Sequence, residues 1–337
     1  MAKLKNKYSY TFVNAYIASI SKNLMSYQDL LRVTSAKDLF TAEAMLHDFG
    51  YGEVKELRDG YIEAFIRREQ KKLHDDIYKT MSDVTELALW LIPLDYHNIR
   101  VCLKSELLDI DLDPETHLVS SGNIEPMKMK AMIHERNYTF MSDTMKNAIE
   151  GAIDIFSRSQ DPQEIDILLD KACYEEMLYK ANEIGEPFLI DMVKAQIDQR
   201  NLKSFVRIKK MGKDSAFYKK IFLVNGDVPL DLYVTSFDES YAAIGEKLSP
   251  YGLKQAASEG GQEVKENGNF GILEKYCSEF ILKLNRKAKY QTFGLAPIAW
   301  YWYAKNVELN NLRVILLGLK INMQVDKIIE RLSDPDV

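Results

Sequence analysis

The chain has 337 residues, 46% of them hydrophobic and 28% charged, with a formal net charge of −6. That length holds one large domain or two to three small ones and buries a sizeable core. The acidic balance argues against general nucleic-acid binding, which needs a basic surface. Cys102, Cys173 and Cys277 are far apart and include no CxxC pair, which fits free thiols in a reducing compartment.

Lys3, Lys5 and Lys7 precede residues that alternate polar and apolar, unlike a signal peptide. Tyr8–Ile20, Ser26–Leu31 and Thr41–Phe49 carry apolar residues at helical spacing, and Gly50-Tyr51-Gly52 stops the third. Leu57–Met81 reads as a long, partly exposed helix with Leu57, Tyr61, Phe65 and Ile66 as its apolar positions. Ser82–Leu112 follows as another. Asp83 and Glu86 have capping-box spacing at its start, Pro93 predicts a kink, and Asp113-Pro114 ends it. Met127–Ile133, Met141–Ser157 and Glu164–Ile184 read as helices. Gly185-Glu186-Pro187 breaks the chain before a further helix that stops near Gly212. Short extended pieces fit Ile221–Val224 and Leu230–Thr235, and short helices fit Val234–Ile244 and Tyr251–Ala257. Glu259–Gly271, rich in Gly, Glu and Asn, reads as an exposed loop. Leu273–Lys289 is helical, and a last long helix starts at Pro297 and leads to an end near Leu332. No stretch alternates convincingly over several strands, so the expected class is all-α. The longest apolar runs, Leu87–Leu94 and Phe293–Ala304, fall short of the ~20 residues that span a bilayer. A cytoplasmic protein without a transmembrane segment is expected.

One string recurs three times: an acid, two residues, Asn, Ile or Leu, then Arg or Lys. It occurs at Asp95-Tyr96-His97-Asn98-Ile99-Arg100, at Asp198-Gln199-Arg200-Asn201-Leu202-Lys203 and at Glu308-Leu309-Asn310-Asn311-Leu312-Arg313. Chance supplies one such string in roughly one chain in ten or twenty of this length. The Asn spacings are 103 and 110 residues, and Pro187 and Pro297 each stand 14 residues before an Asn. A second marker pairs Ser121-Gly122-Asn123-Ile124-Glu125 with Asn225-Gly226-Asp227-Val228-Pro229, and a third pairs Asp170-Lys171-Ala172-Cys173 with Glu274-Lys275-Tyr276-Cys277; both recur at 104 residues. Shared offsets predict three copies of one helical unit, residues 1–114, 115–217 and 218–337.

Residues three apart on a helix share a face, so each acid lies beside its Asn. Leu309, Leu312, Leu316 and Leu319 have the spacing of a buried stripe with Asn311 at its border, and Gly318 leaves room for a close neighbour. Structurally, each Asn would bond a neighbouring element and hold the three units in one register. Functionally, the three helices would line a common centre and present Asn and Arg or Lys to a partner.

Other constellations fail on spacing. Asp109-Ile110-Asp111-Leu112-Asp113 begins like a calcium loop, but Pro114 and Ser120 stand where Gly and Glu are required. His74-Asp75-Asp76 lacks a third Asp, no histidine pair has ligand spacing, and Gly260-Gly261 is not a phosphate loop. No nucleophile elbow occurs. No metal, cofactor or catalytic set is expected. Trp300-Tyr301-Trp302-Tyr303 fits core packing better than a ligand platform. Arg207, Lys209, Lys210 and Lys213 form a basic run, read first as a solvated helix end and second as a docking patch for an acidic partner or headgroups.

The three signatures, in LDYHNIRVCLKSELL, IDQRNLKSFVRIKKMG and VELNNLRVILLGLK, resemble the C subunit of the V-type and A-type rotary ATPases, which is related to the d subunit of eukaryotic vacuolar ATPases. The likeness extends over nearly the whole chain, from Tyr8-Ser9-Tyr10 to Ile328–Leu332, and departs most at Glu259–Gly271. The resemblance implies a single-copy, non-catalytic rotor part shaped as a three-fold pseudo-symmetric helical funnel with a central cavity. Its base would sit on the membrane rotor ring of c or K subunits at the cytoplasmic face. Its mouth would take the central shaft, made of the D and F subunits, so that it couples ATP turnover to ion transport. The alternative is a generic helical-repeat adaptor, which the long spacing disfavours.

Overall fold

The computed structural model describes residues 10–81, 86–111 and 113–336. Among them every regular element is helical. In chain order the α-helices are α1 (Thr11–Ile20), α2 (Tyr27–Thr34), α3 (Leu39–Leu46), α4 (Lys55–Arg58), α5 (Ile62–Thr80), α6 (Ala88–Leu107), α7 (Pro114–His117), α8 (Pro126–His134) and α9 (Asp143–Ser159). They continue as α10 (Pro162–Ile184), α11 (Pro187–Lys210), α12 (Ser215–Ile221), α13 (Leu230–Thr235), α14 (Tyr241–Leu248), α15 (Gly261–Asn267), α16 (Gly271–Asn285), α17 (Ala296–Lys320) and α18 (Val325–Ile329).

Local chemistry sets the boundaries. Ser26 and Asp29 form a reciprocal capping box that starts α2, and Asp38, Ser142 and Asp161 cap α3, α9 and α10 through their side chains. Gly185, at φ +77°, ends α10 two residues before Pro187 opens α11. Helix α6 runs through Pro93. The expected cap residue Asp83 lies outside the described residues.

Several stretches differ from the sequence reading, and one of them, Leu57–Met81, is broken at residues 59–61 between α4 and α5. Leu230–Thr235 is helical rather than extended. Val234–Ile244 is two helices, because Ser240 caps a new one at Tyr241. Glu259–Gly271 is not an exposed loop: a wide helical turn over Ala256–Gly260 leads directly into α15, and Ala256, Ala257, Gly260, Gly261 and Val264 are buried. Gly260 and Gly261 serve close packing, while Gly268, at φ +69°, ends α15. A Cβ on Gly260 would stand 2.7 Å from the Leu273 backbone, and one on Gly261 would run into the Tyr241 ring.

The chain forms two compact units. One comprises residues 86–197 and 221–226; there α10 packs on α9 and α6, and α6 packs on α8. The other comprises residues 10–81, 198–220 and 227–336, where α17 is the central helix, packed against α1, α2, α3, α5, α16 and α18. Leu309, Leu312 and Leu316 are fully buried in a core with Leu30, Val33, Phe65 and Ile66. Full burial of such side chains is worth roughly 1.5–3 kcal/mol each. Gly318 does admit a close neighbour, the Ile328 side chain, which would lie 2.6 Å from a Cβ there.

Candidate functional site

The signature residues occupy α6, α11 and α17, one string per helix. Their acids and amides are buried: Asp95, Asp198 and Glu308 are 0%, 3% and 1% exposed, and Asn98, Asn201 and Asn311 are 0%, 1% and 2% exposed. Classes of exposure repeat position by position over residues 201–210 and 311–320. The helices also end alike. Asp109, Gly212 and Asn322, each eleven residues past its Asn, adopt φ of 52°, 67° and 54°. The next amides, of Ile110, Lys213 and Met323, bond back to the carbonyls of Ser105, Ile208 and Gly318. This is one helix-ending motif used three times.

Each acid holds the start of another segment. The Ile124 amide donates to Asp95 Oδ1 at 3.1 Å, and the Asn123 side chain donates to Oδ2 at 2.7 Å. The Val228 and Asp227 amides donate to Asp198 at 3.0 Å each. The Met25 amide donates to Glu308 Oε2 at 2.8 Å. Met25, Ile124 and Val228 are equivalent in a further respect: each is buried and immediately precedes the N-cap of a helix, α2, α8 or α13. Burial is the first cause that pushes the Asp95 carboxyl up to about 6, against the opposing pull of the Ile124 and Asn123 hydrogen bonds.

The amides bind further main chain. Asn98 Nδ2 donates to the Val119 carbonyl and its Oδ1 accepts from the Val119 amide, both at 2.9 Å. Asn311 makes the same pair with Ser333 at 2.8 and 2.9 Å. Asn201 is equally buried, and its carbonyl accepts from the buried Tyr218 hydroxyl at 3.1 Å.

The signature cations are half-buried and pair with acids on other helices. Arg100 bonds Asp170 and lies 3.2 Å from Asp166, both on α10. Lys203 pairs with Glu274 on α16, and Arg313 with Glu63 on α5 at 2.9 Å. Asp170 and Glu274 open the third sequence marker, so that marker is the acceptor side of an ion pair. Glu63 is its counterpart near the N-terminus.

Of the basic run, Lys209 is engaged internally. Its ammonium donates to the Phe237 and Glu239 carbonyls at 2.5 and 2.9 Å, and the Tyr241 ring centroid is 5.1 Å away. Burial pushes its pKa below the usual lysine value. Lys210 donates to the Lys265 carbonyl at 3.1 Å, whereas Arg207 and Lys213 lie exposed beside Phe270 and Phe217. Trp300 and Tyr301 are buried. Among the described residues no helix is long and apolar enough to cross a membrane, and no cluster of three His, Cys, Asp or Glu is placed to hold a metal.

Sequence reasoning isolated the nine signature residues but missed Met25, Tyr51, Glu63 and Lys305, which complete the third set of contacts. The sequence signal for Met25 and Glu63 is their offset from the other markers, Tyr51 and Lys305 have no counterpart there, and no glycine flags Met25 as Gly122 flags Ile124.

Comparison with known proteins agrees with this pattern. The family model for the ATP synthase (C/AC39) subunit matches residues 13–331. The chain is 23% identical to the C subunit of the V-type sodium ATPase of Enterococcus hirae, over 81% of this chain and 83% of that protein. It is 22% identical to the C subunit of the A-type ATP synthase of Pyrococcus horikoshii, over 96% of this chain and 90% of that one. It is 21% identical to the corresponding A-type ATP synthase protein of Methanocaldococcus jannaschii, over 95% and 85%. With buried signatures on three long helices and a family match over nearly its full length, this chain belongs to the ATP synthase (C/AC39) subunit family.

Proposed function

We propose that the chain is a non-catalytic central-stalk subunit of a V/A-type rotary ATPase. In this reading it is a single-copy socket and spacer that joins the D–F shaft to the c/K membrane rotor ring at the cytoplasmic face and transmits torque between ATP turnover and ion transport. It consists of three helical repeats, residues 1–114, 115–217 and 218–337, closed into a funnel.

The order of the signature contacts carries this reading. Asp95 in repeat 1 holds Ile124 in repeat 2, Asp198 in repeat 2 holds Val228 in repeat 3, and Glu308 in repeat 3 returns to Met25 in repeat 1. The cations follow the same order: Arg100 to Asp170, Lys203 to Glu274, Arg313 to Glu63. A solenoid adaptor leaves its last unit unpartnered by its first, whereas here the third set of contacts supports closure. Burial of the acids and amides supports a role for them as pins of register; the half-exposed cations brace the same junctions.

Co-purification tests the function. The chain should bind the D–F shaft one to one and, separately, the detergent-solubilised rotor ring, over interfaces of the usual ~1,200–2,000 Å². A chain that binds neither overturns the reading.

A further inference from the structure

Two of the three junctions are tethered by short lengths of chain. Asp95 and Ile124 are 29 residues apart, and Asp198 and Val228 are 30 apart. Glu308 and Met25 are 283 residues apart, so contacts alone fix their alignment. Much of that contact is apolar: Met25, Leu30 and Val33 share a core with Leu309, Leu312 and Leu316. Apolar burial is strong but non-directional, and at an untethered junction it leaves the sliding of one face on the other weakly specified.

At this junction a largely covered cation stands beside the acid. Three residues before the acid stand Ile92 on α6 and Ala195 on α11, but Lys305 on α17. Lys305 Nζ is 2.6 Å from Glu308 Oε1, 3.0 Å from Tyr51 Oη and 4.5 Å from the centroid of the Tyr51 ring. The Tyr51 hydroxyl donates to the same carboxylate. The Lys305 and Glu308 side chains are 16% and 2% exposed. Tyr51 in turn packs edge-on against Phe65, with centroids 5.6 Å apart. The network therefore ties α17 to the turn after α3 and, through the Met25 amide, to the start of α2.

We infer that Lys305, Glu308 and Tyr51 form a register lock that does for the closing junction what the tether does for the other two, with Lys305 as its positioning residue. This rests on the closed-ring reading. A buried ion pair is a poor source of net stability but can specify a single arrangement, because sliding would leave the buried Glu308 carboxylate without its cation. The lock defines how far the funnel closes and so the fit of the shaft.

Lys305→Ile tests it, since Ile is the residue at the equivalent position of α6. Methionine methyl NMR of the full chain supplies both reporter and control. Met25, Met45 and Met323 lie in or against the closing core, whereas Met129, Met145 and Met177 are buried in the other unit. In Lys305→Ile the first three methyls should broaden or double while the second three keep their positions, and affinity for the D–F shaft should fall about tenfold. Lys305→Arg should restore single peaks. Sharp single peaks with wild-type shaft affinity, or equal disturbance of all six methyls, would overturn the lock. Failure of the wild-type chain to bind the shaft defeats the socket reading instead, and the methyl pattern still decides on the lock.

Discussion

At the residue scale, the signature amides are doubly bonded buried groups. Replacing Asn98 or Asn311 by Leu leaves a main-chain carbonyl and amide, of Val119 or Ser333, without the side chain that both use. Each substitution should lower stability by about 1–3 kcal/mol, the usual cost of orphaned buried polar groups, as read by chemical denaturation. Unchanged unfolding with lost shaft binding would assign these residues to the partner surface. The sequence made the signature visible because its helical spacing is strict. It could not reveal what each residue touches, because the partners on other elements lie 17 to 283 residues away. The cations show this best: the marker at Asp170 and Glu274 and the signature at Arg100 and Lys203 were both legible, but not that one is the counter-ion of the other.

At the element scale, most long helices were legible from apolar spacing and from Pro and Gly punctuation, as with α10, Gly185 and Pro187. Glu259–Gly271 was not, because glycine has two uses that composition does not separate. In a loop it supplies conformational freedom; here Gly260 and Gly261 lie in helical turns and remove bulk where Leu273 and Tyr241 press in. Gly260→Ala discriminates between them. An exposed loop would tolerate alanine, and an exposed helix would gain up to about 1 kcal/mol from it. Against the Leu273 backbone it should instead cost on the order of 1–3 kcal/mol through overpacking, measured as a lower melting temperature with unchanged helical content. Glu63 was hidden for a related reason: Leu57–Met81 is charged on most turns, so it does not stand out as the partner of Arg313.

At the scale of the whole molecule, packing and repetition divide the chain differently. Helix α11 contributes residues 187–197 to one compact unit and 198–210 to the other, so the proposed second repeat, residues 115–217, does not coincide with a compact unit. In the reconstituted ATPase, ATP hydrolysis and ion uptake into vesicles are measured together, with this chain present and omitted. Omission should leave ATP hydrolysis by the head while ATP-driven ion uptake is lost, and adding the chain back should restore uptake. Full ion uptake per ATP hydrolysed without the chain would contradict a coupling role.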